Sequence, residues 1–190
     1  MDVLMHICCG PCAVYPGKIL KQRNIEVTGY FFNPNIHPIE EFERREENAV
    51  LLSEKMSFDL ITDSAFQQEF WETSLANEDK KADVIDEKIA DRKVCHEKTG
   101  FCKRCEYCYD IRMKKAFEYA KENGFSHATS SLLVSPYQNH ELIRSLCEKY
   151  SKETGVDFLY IDFREGFREG QAMAKEMGLY RQKYCGCILS

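Results

Sequence analysis

Apolar and polar positions along this chain alternate between the two periods of secondary structure. Val3, Leu4, Met5 and Ile7 form a short apolar run that gives way to Gly10-Pro11, the pattern of a buried strand leading into a helix start. Pro11 suits the first helical turn, where its missing N–H breaks no bond, and Val14, Tyr15, Ile19 and Leu20 supply the apolar face of a helix ending near Arg23-Asn24. Ile25 to Phe32 (IEVTGYFF) is the second strand, and its exit, Asn33-Pro34-Asn35-Ile36-His37-Pro38, is a turn-rich loop. Ile39, Phe42, Ala49, Leu52 and Met56 then recur at near-heptad spacing on a helix, and Phe58 to Thr62 is a short third strand.

Residues 63–104 break this rhythm. Phe66, Phe70 and Leu75 mark a helix, and a charged stretch runs from Glu78 to Lys98, so the segment reads as an insertion, either a lid beside a site or a solvated surface excursion. The rhythm resumes at Cys105-Glu106-Tyr107-Cys108, which opens a helix with Ile111, Ala116, Phe117 and Ala120 as its buried stripe and Gly124 as its cap. His127 to Val134 (HATSSLLV) is a fourth strand with the turn Ser135-Pro136-Tyr137-Gln138-Asn139 at its exit. A helix carrying Leu142, Ile143, Leu146, Cys147 and Tyr150 ends at Gly155, Phe158 to Asp162 is a fifth strand, and a short helix lies around Ala172 to Met177. Repeated strand–helix–strand order predicts an α/β fold with a parallel sheet and right-handed crossovers. A chain of 190 residues holds one such domain, spanning 1–190, and no internal repeat is visible.

Composition narrows the function classes. The net charge of -5 argues against a protein that coats nucleic acid indiscriminately, while leaving room for a local basic patch. The start of the chain lacks the basic flank of a secretory signal, and no apolar run approaches the ~18 residues of a membrane helix. The expectation is a cytoplasmic protein without a membrane partner. In that compartment, ten cysteines point to metal ligation or thiol catalysis before a disulfide scaffold.

Seven of those cysteines fall in three compact groups: Cys8, Cys9 and Cys12; Cys105 and Cys108; Cys185 and Cys187. Each group lies at a loop or helix boundary. The first stands at a strand exit, where ligands collect beyond the carboxyl ends of an open α/β sheet. A sulfur-rich loop there suits metal, because thiolates select iron–sulfur clusters and zinc while phosphate loops rely on glycine amides. Four thiolates complete a zinc site or a cubane cluster, so seven leave a surplus for a second metal ion or a redox-active pair. Two separated C-x-x-C pairs, Cys9/Cys12 and Cys105/Cys108, also describe a structural zinc site. Thioredoxin-like exchange at Cys9-Gly10-Pro11-Cys12 would leave the other clustered thiols without a task.

Other residues carry two readings each. Cys147 falls on a buried helix face as a small hydrophobe, and Cys95 and Cys102 lie in the charged insertion, where Cys95-His96 is a possible ligand pair or incidental. His6 shares a face with Cys8 by strand alternation and either tunes the site or is a hydrogen-bonded structural residue. Asp110 offers a hard oxygen ligand to a second metal, or simply favourable charge in a first helical turn. Tyr107, Tyr109, Tyr137, Tyr180 and Tyr184 are interleaved with Lys103, Arg104, Arg112, Arg181 and Lys183, a mixture suited to stacking and neutralising an unpaired RNA segment. It equally describes an ordinary amphipathic surface.

Taken together, His6-x-Cys8-Cys9-x-Pro11-Cys12, Tyr30-Phe31-Phe32-Asn33-Pro34-Asn35-Ile36, Cys105-x-x-Cys108-x-Asp110-x-Arg112, Ser135 to Asn139, Asp162-Phe163-Arg164 and Tyr180-Arg181-Gln182-x-Tyr184-Cys185-Gly186-Cys187 resemble the QueH family of epoxyqueuosine reductases. The resemblance runs nearly end to end. It implies a Rossmann-like (HUP/PP-loop-like) parallel sheet with helices on both faces and a small helical insertion. It also implies a cobalamin-independent enzyme that removes the epoxide oxygen of epoxyqueuosine at the wobble position of tRNA, giving queuosine and water. The would-be nucleotide loop carries cysteines, so ATP is not expected to bind.

Converting an epoxide to an alkene needs two electrons, whereas a 4Fe-4S cluster delivers electrons singly. A thiol pair or a second, mononuclear iron would supply the other, and an iron would also act as Lewis acid on the oxygen. The resulting expectation gives Cys8, Cys9, Cys105 and Cys108 to a 4Fe-4S cluster. Cys185 and Cys187 become a redox pair or second-metal ligands, with Asp110 beside them, and Cys12 is a ligand of either centre. The expected partners are tRNA carrying epoxyqueuosine in its anticodon loop and a low-potential donor such as ferredoxin or flavodoxin. Two rivals stand beside this reading, a zinc-stabilised RNA-binding module without redox activity and a PP-loop ATPase or tRNA thiolase.

Overall fold

The computed structural model describes residues 1–63 and 103–186. The expected insertion, with Cys95, His96 and Cys102, therefore lies outside the described residues except at its edges, as does Cys187.

In chain order the elements are β1 (Asp2–His6), α1 (Gly10–Gln22), β2 (Glu26–Phe31), α2 (Ile39–Met56), β3 (Asp59–Thr62), α3 (Lys103–Glu122), β4 (His127–Ser130), α4 (His140–Thr154), β5 (Asp157–Phe158) and α5 (Phe167–Glu176), with 3-10 turns at Ser131–Val134 and Arg164–Gly166. The five strands form one parallel sheet in the order β3-β2-β1-β4-β5, flanked by helices, as the alternating pattern predicted. This is a Rossmann-like arrangement. Right-handed crossovers in that order send α1 and α2 to one face and α4 to the other. Accordingly α1 packs on α2 and α5, while α3 packs on α4.

The central strand explains its own composition. β1 pairs on both sides and is covered on both faces, so Val3, Leu4 and Met5, and Ile7 just beyond it, are fully buried, without polar alternation. Each such side chain contributes about 1.5–3 kcal/mol of burial. Phe31, Phe117, Cys147 and Phe163 complete the core around it. Cys147 is buried as the helix pattern indicated, and burial pushes its thiol pKa up.

Three local expectations need correction. The strand read over His127–Val134 ends at Ser130, because the Ser130 hydroxyl accepts the Leu132 N–H at 3.2 Å and the chain turns into the 3-10 segment. The fifth strand has only two residues, Asp157 and Phe158, paired to the first two of β4. Ile39, read as part of the apolar face of α2, is exposed, since it occupies the first position of that helix, before the buried stripe of Phe42, Ala49 and Leu52.

Candidate metal centre

The strand order reverses direction between β1 and β4, so their carboxyl ends open the crevice where α/β sheets bind ligands. The residues that leave these two ends are Cys8 and Cys9 on one side and Ser130 and Ser131 on the other. They are stitched across the gap. The Cys8 N–H donates to Ser131 Oγ at 3.1 Å, and the Ser131 hydroxyl donates to Cys8 Sγ at 3.5 Å. Beneath them His6 is fully buried between Ser130 Oγ and the Phe32 carbonyl, 3.1 Å from each. A carbonyl only accepts, so Nε2 carries the proton and Nδ1 accepts from Ser130. Burial first, and the Arg112 charge second, lower the His6 pKa to about 4. His6 is thus a neutral structural link between three strand ends.

Cys9 caps the N-terminus of α1, and one helical turn brings Cys12 beside it. The sulfurs of Cys8, Cys9 and Cys12 lie within 4.8 Å of one another, all buried, and among the described residues no other three His, Cys, Asp or Glu side chains gather this way. Cys12 and Cys9 hydrogen-bond to Cys8, which lowers its thiol pKa well below the usual range against the opposing effect of burial; the Ser131 hydroxyl adds to the lowering. Burial pushes the Cys9 pKa up, while the bonds to Cys8 and Cys9, with burial behind them, push that of Cys12 up. The Cys8 Sγ–Cys9 Sγ separation is 3.8 Å. Two thiolates on one tetrahedral ion, with bonds of about 2.3 Å, lie about that far apart. A buried all-sulfur set of this shape fits a thiophilic metal.

The backbone had to allow this packing. A Cβ on Gly10 would sit 2.7 Å from the Asn48 carbonyl oxygen, so the start of α1 approaches α2 more closely than any side chain permits.

Along α3, Cys105, Cys108 and Arg112 recur at i, i+3 and i+7 and so share one face. Cys108 is buried and Cys105 half-buried, and neither joins the 4.8 Å set. Arg112, counted above among phosphate-facing cations, is instead buried. Its Nε donates to the Cys108 carbonyl at 2.9 Å. Burial works to lower its pKa, but Cys108, Cys8, Tyr109 and Cys185 outweigh it and hold the guanidinium above its ordinary value. One buried cation thus interacts electrostatically with a member of each of the three cysteine groups. Asp110, two residues from Cys108 and about 200° around the helix, turns to α4. Its Oδ1 accepts from the Tyr150 hydroxyl at 2.5 Å and faces Lys149 Nζ at 3.7 Å.

The third group arrives on the C-terminal strap. Buried Glu41 and Arg45, one turn apart on α2, form an ion pair at 2.7 Å. Arg45 spends its remaining donors on the strap, Nη2 to the Tyr184 carbonyl at 2.9 Å and Nη1 to the Cys185 carbonyl at 3.0 Å. Tyr180 is held at both ends, its N–H on Asn48 Oδ1 at 2.7 Å and its hydroxyl on Glu41 Oε2 at 2.9 Å. His37 N–H donates to the Gly186 carbonyl at 2.8 Å, and the Tyr184 hydroxyl donates to the His37 carbonyl. Gly186 has φ +105, and a Cβ there would meet Arg45 Nη1 at 2.9 Å. Within this strap the Gln182 amide reaches back to Cys9 Sγ at 2.8 Å and Cys12 Sγ at 3.5 Å.

Cys12 and Cys185 line one open cleft of about 470 Å³, with Ser135, Tyr137, Gln138, Phe167, Gln171, Gln182, Lys183 and Tyr184 around it. Tyr137 is 75% exposed, its ring set edge-on against Phe167 at 5.7 Å. Tyr109 is buried, and its hydroxyl donates to Gln138 Oε1 at 2.6 Å. Sequence reasoning missed Ser131, Glu41, Arg45 and Gln182. The first three act through backbone atoms more than 100 positions away or through each other, which leaves no local signal; Gln182 stood only inside the quoted C-terminal motif.

A Rossmann-like α/β sheet whose switch point holds a buried thiol trio, able to bind metal beside an open cleft, defines a thiol-centred α/β protein. Comparison with known proteins is more specific. The family model described as "Epoxyqueuosine reductase QueH" matches residues 3–190. Curated proteins named epoxyqueuosine reductase QueH are similar over nearly the whole chain. That of Dehalococcoides mccartyi is 34% identical over 189 residues, 99% of this chain and 91% of its own length. That of Streptococcus pyogenes is 33% identical over 98% of this chain and 69% of its own length, and that of Thermotoga maritima 30% over 99% and 89%. The chain belongs to the epoxyqueuosine reductase QueH family, and its class of activity is oxidoreductase. Among the described residues no helix is long and apolar enough to cross a membrane.

Proposed function

We propose that this chain reduces epoxyqueuosine to queuosine at the wobble position of tRNA, the final step of queuosine biosynthesis, without cobalamin and in the cytoplasm. The observation that carries the reading is that Cys12, one member of the buried Cys8/Cys9/Cys12 trio, lines the same cleft as Cys185. The reaction breaks both epoxide C–O bonds, consumes two electrons and two protons, and releases the oxygen as water. Bound at Cys8, Cys9, Cys105 and Cys108, a 4Fe-4S cluster would supply single electrons from a low-potential ferredoxin or flavodoxin.

The chain's own residues account for the rest. Arg112 offsets the negative charge that several thiolates accumulate away from water. Ser131 fixes the direction of Cys8. As a dithiol, Cys185 and Cys187 would give up two electrons and two protons on closing to a disulfide, which balances the deoxygenation; as thiolates they would instead hold a second, mononuclear iron. Asp110 would complete that second site through Oδ2, its Oδ1 being engaged by Tyr150 and Lys149. Cys12, beside Cys8 and Cys9 and lining the cleft with Cys185, would be a ligand of either centre. Tyr137 and Lys183 at the rim suit an unpaired anticodon loop, one by stacking and one by charge.

The 3.8 Å spacing of Cys8 and Cys9 favours one other reading, a single tetrahedral zinc in an RNA-binding module. Anaerobic purification with iron, sulfide and zinc analysis, followed by nucleoside mass spectrometry of epoxyqueuosine-tRNA incubated with a reduced donor, separates the two. Iron with labile sulfide and conversion to queuosine is expected. A colourless protein holding one zinc and converting nothing would overturn the proposal.

A further inference from the structure

The cleft, the sulfur trio and the strap meet at one side chain that the reaction above does not employ. Gln182 Nε2 lies 2.8 Å from Cys9 Sγ and 3.5 Å from Cys12 Sγ. An amide nitrogen carries two N–H groups, so one donor serves each sulfur. We infer that Gln182 is a positioning residue for electron transfer, its amide hydrogen-bonding to the metal-bound sulfurs of Cys9 and Cys12 and thereby setting the reduction potential of the centre they hold. The inference rests on the reading that a redox-active iron centre is bound here with Cys9 among its ligands and Cys12 a ligand of that centre or of the one beside it.

Three features support a tuning role over an incidental contact. The first is preorganisation: the strap is anchored on both sides of Gln182, by Tyr180 on Asn48 and Glu41 and by Arg45 on the Tyr184 and Cys185 carbonyls. Little side-chain freedom remains to be lost when the bonds form. The second is medium: both sulfurs are buried, and a hydrogen bond in a low-dielectric interior acts more strongly than in water. The third is direction. A centre gains negative charge on reduction, an N–H···S bond strengthens as that charge grows, and the reduced state is favoured. Gln182 therefore raises the potential, while its outer edge forms part of the cleft wall.

The test is an anaerobic spectroelectrochemical titration of the iron-loaded protein. It compares wild type with Gln182→Met, of similar length without donors, and Gln182→Glu, of the same shape without donors and with added negative charge. At the potential where wild type is half reduced, the oxidised-to-reduced ratio should rise about tenfold in Gln182→Met, a shift of about -59 mV for one electron, and at least as far in Gln182→Glu. Should either variant load iron poorly, the thiolate-to-cobalt charge-transfer band of the Co(II)-substituted protein gives the second readout, and it should move relative to wild type. Variants that titrate with wild type, or a cobalt band that stays in place, would overturn the inference alone. A wild-type protein with no redox-active iron would overturn both it and the proposed function.

Discussion

Arg45 Nη1 lies 3.0 Å from the carbonyl oxygen of Cys185, a bond between positions 140 residues apart. With Glu41 it forms a buried ion pair whose further side-chain hydrogen bonds hold the C-terminal strap. Removing one partner of a buried pair leaves an uncompensated charge. Arg45→Met should lose about 3–5 kcal/mol in urea unfolding, and Cys185 should alkylate faster with iodoacetamide. Adding Glu41→Gln should recover part of the stability without slowing the alkylation.

Cys185 stands at the rim of the cleft and outside the trio, which separates two kinds of cysteine variant. Cys185→Ser and Cys187→Ser should abolish queuosine formation while the visible iron–sulfur absorbance stays largely intact. Cys8→Ser and Cys9→Ser should bleach it. Loss of absorbance in the first pair would move those thiols into the cluster.

Asp110 faces α4 through Oδ1, on the side of α3 away from Cys108. An amide retains an acceptor for the Tyr150 hydroxyl, so Asp110→Asn should fold normally and keep the chromophore. Turnover should fall at least tenfold if Oδ2 is a ligand of the second centre. Unchanged turnover, measured by nucleoside mass spectrometry, would leave Asp110 only its helix–helix role.

Tyr137 projects at the cleft, braced by Phe167. Stacking of one base on an aromatic ring is worth about 1–3 kcal/mol, so Tyr137→Ala should raise the KM for tRNA roughly tenfold with kcat little changed. Tyr137→Trp should restore it. A loss confined to kcat would argue that the ring acts on the reacting group instead.

Asp162 gives a pH signature remote from the sulfur. The Arg164 side chain holds it at 2.9 and 3.1 Å through Nε and at 2.5 Å through Nη2, and lowers its pKa to about 2. The folded value lies below the ordinary one, so the pair's contribution is complete above about pH 4 and is lost as pH falls through about 2. Both groups are well exposed, and the contribution is small. The gap in urea midpoint between wild type and Asp162→Asn should therefore narrow as pH falls from 5 toward 2.

The sequence alone determined the parts written in contiguous residues. Val3, Leu4, Met5 and Ile7 are apolar without alternation because β1 is covered on both faces, and Gly10-Pro11, Gly124 and Gly155 punctuate helices by backbone restrictions that hold in any context. Strand–helix alternation implied a parallel sheet, and sheet geometry in turn put the cysteine loop at a crevice. The quoted motifs carried the family. Tertiary structure alone decided how the sulfurs are arranged: Cys12 turns out to share one buried pocket with Cys8 and Cys9, while Cys108 and the buried Arg112 belong to another helix, α3, whose Arg112 charge interacts with both Cys108 and Cys8. It also decided that Arg112 neutralises sulfur, a task that its helical pattern, shared with surface cations, does not reveal. Where strands end was likewise settled by long-range bonds, as at Ser130, whose hydroxyl joins Leu132 to His6. Periodicity records which face of an element is buried, whereas the site depends on which elements meet. That meeting is set by side chains such as Arg45, Ser131 and Gln182, whose partners lie more than 100 residues away.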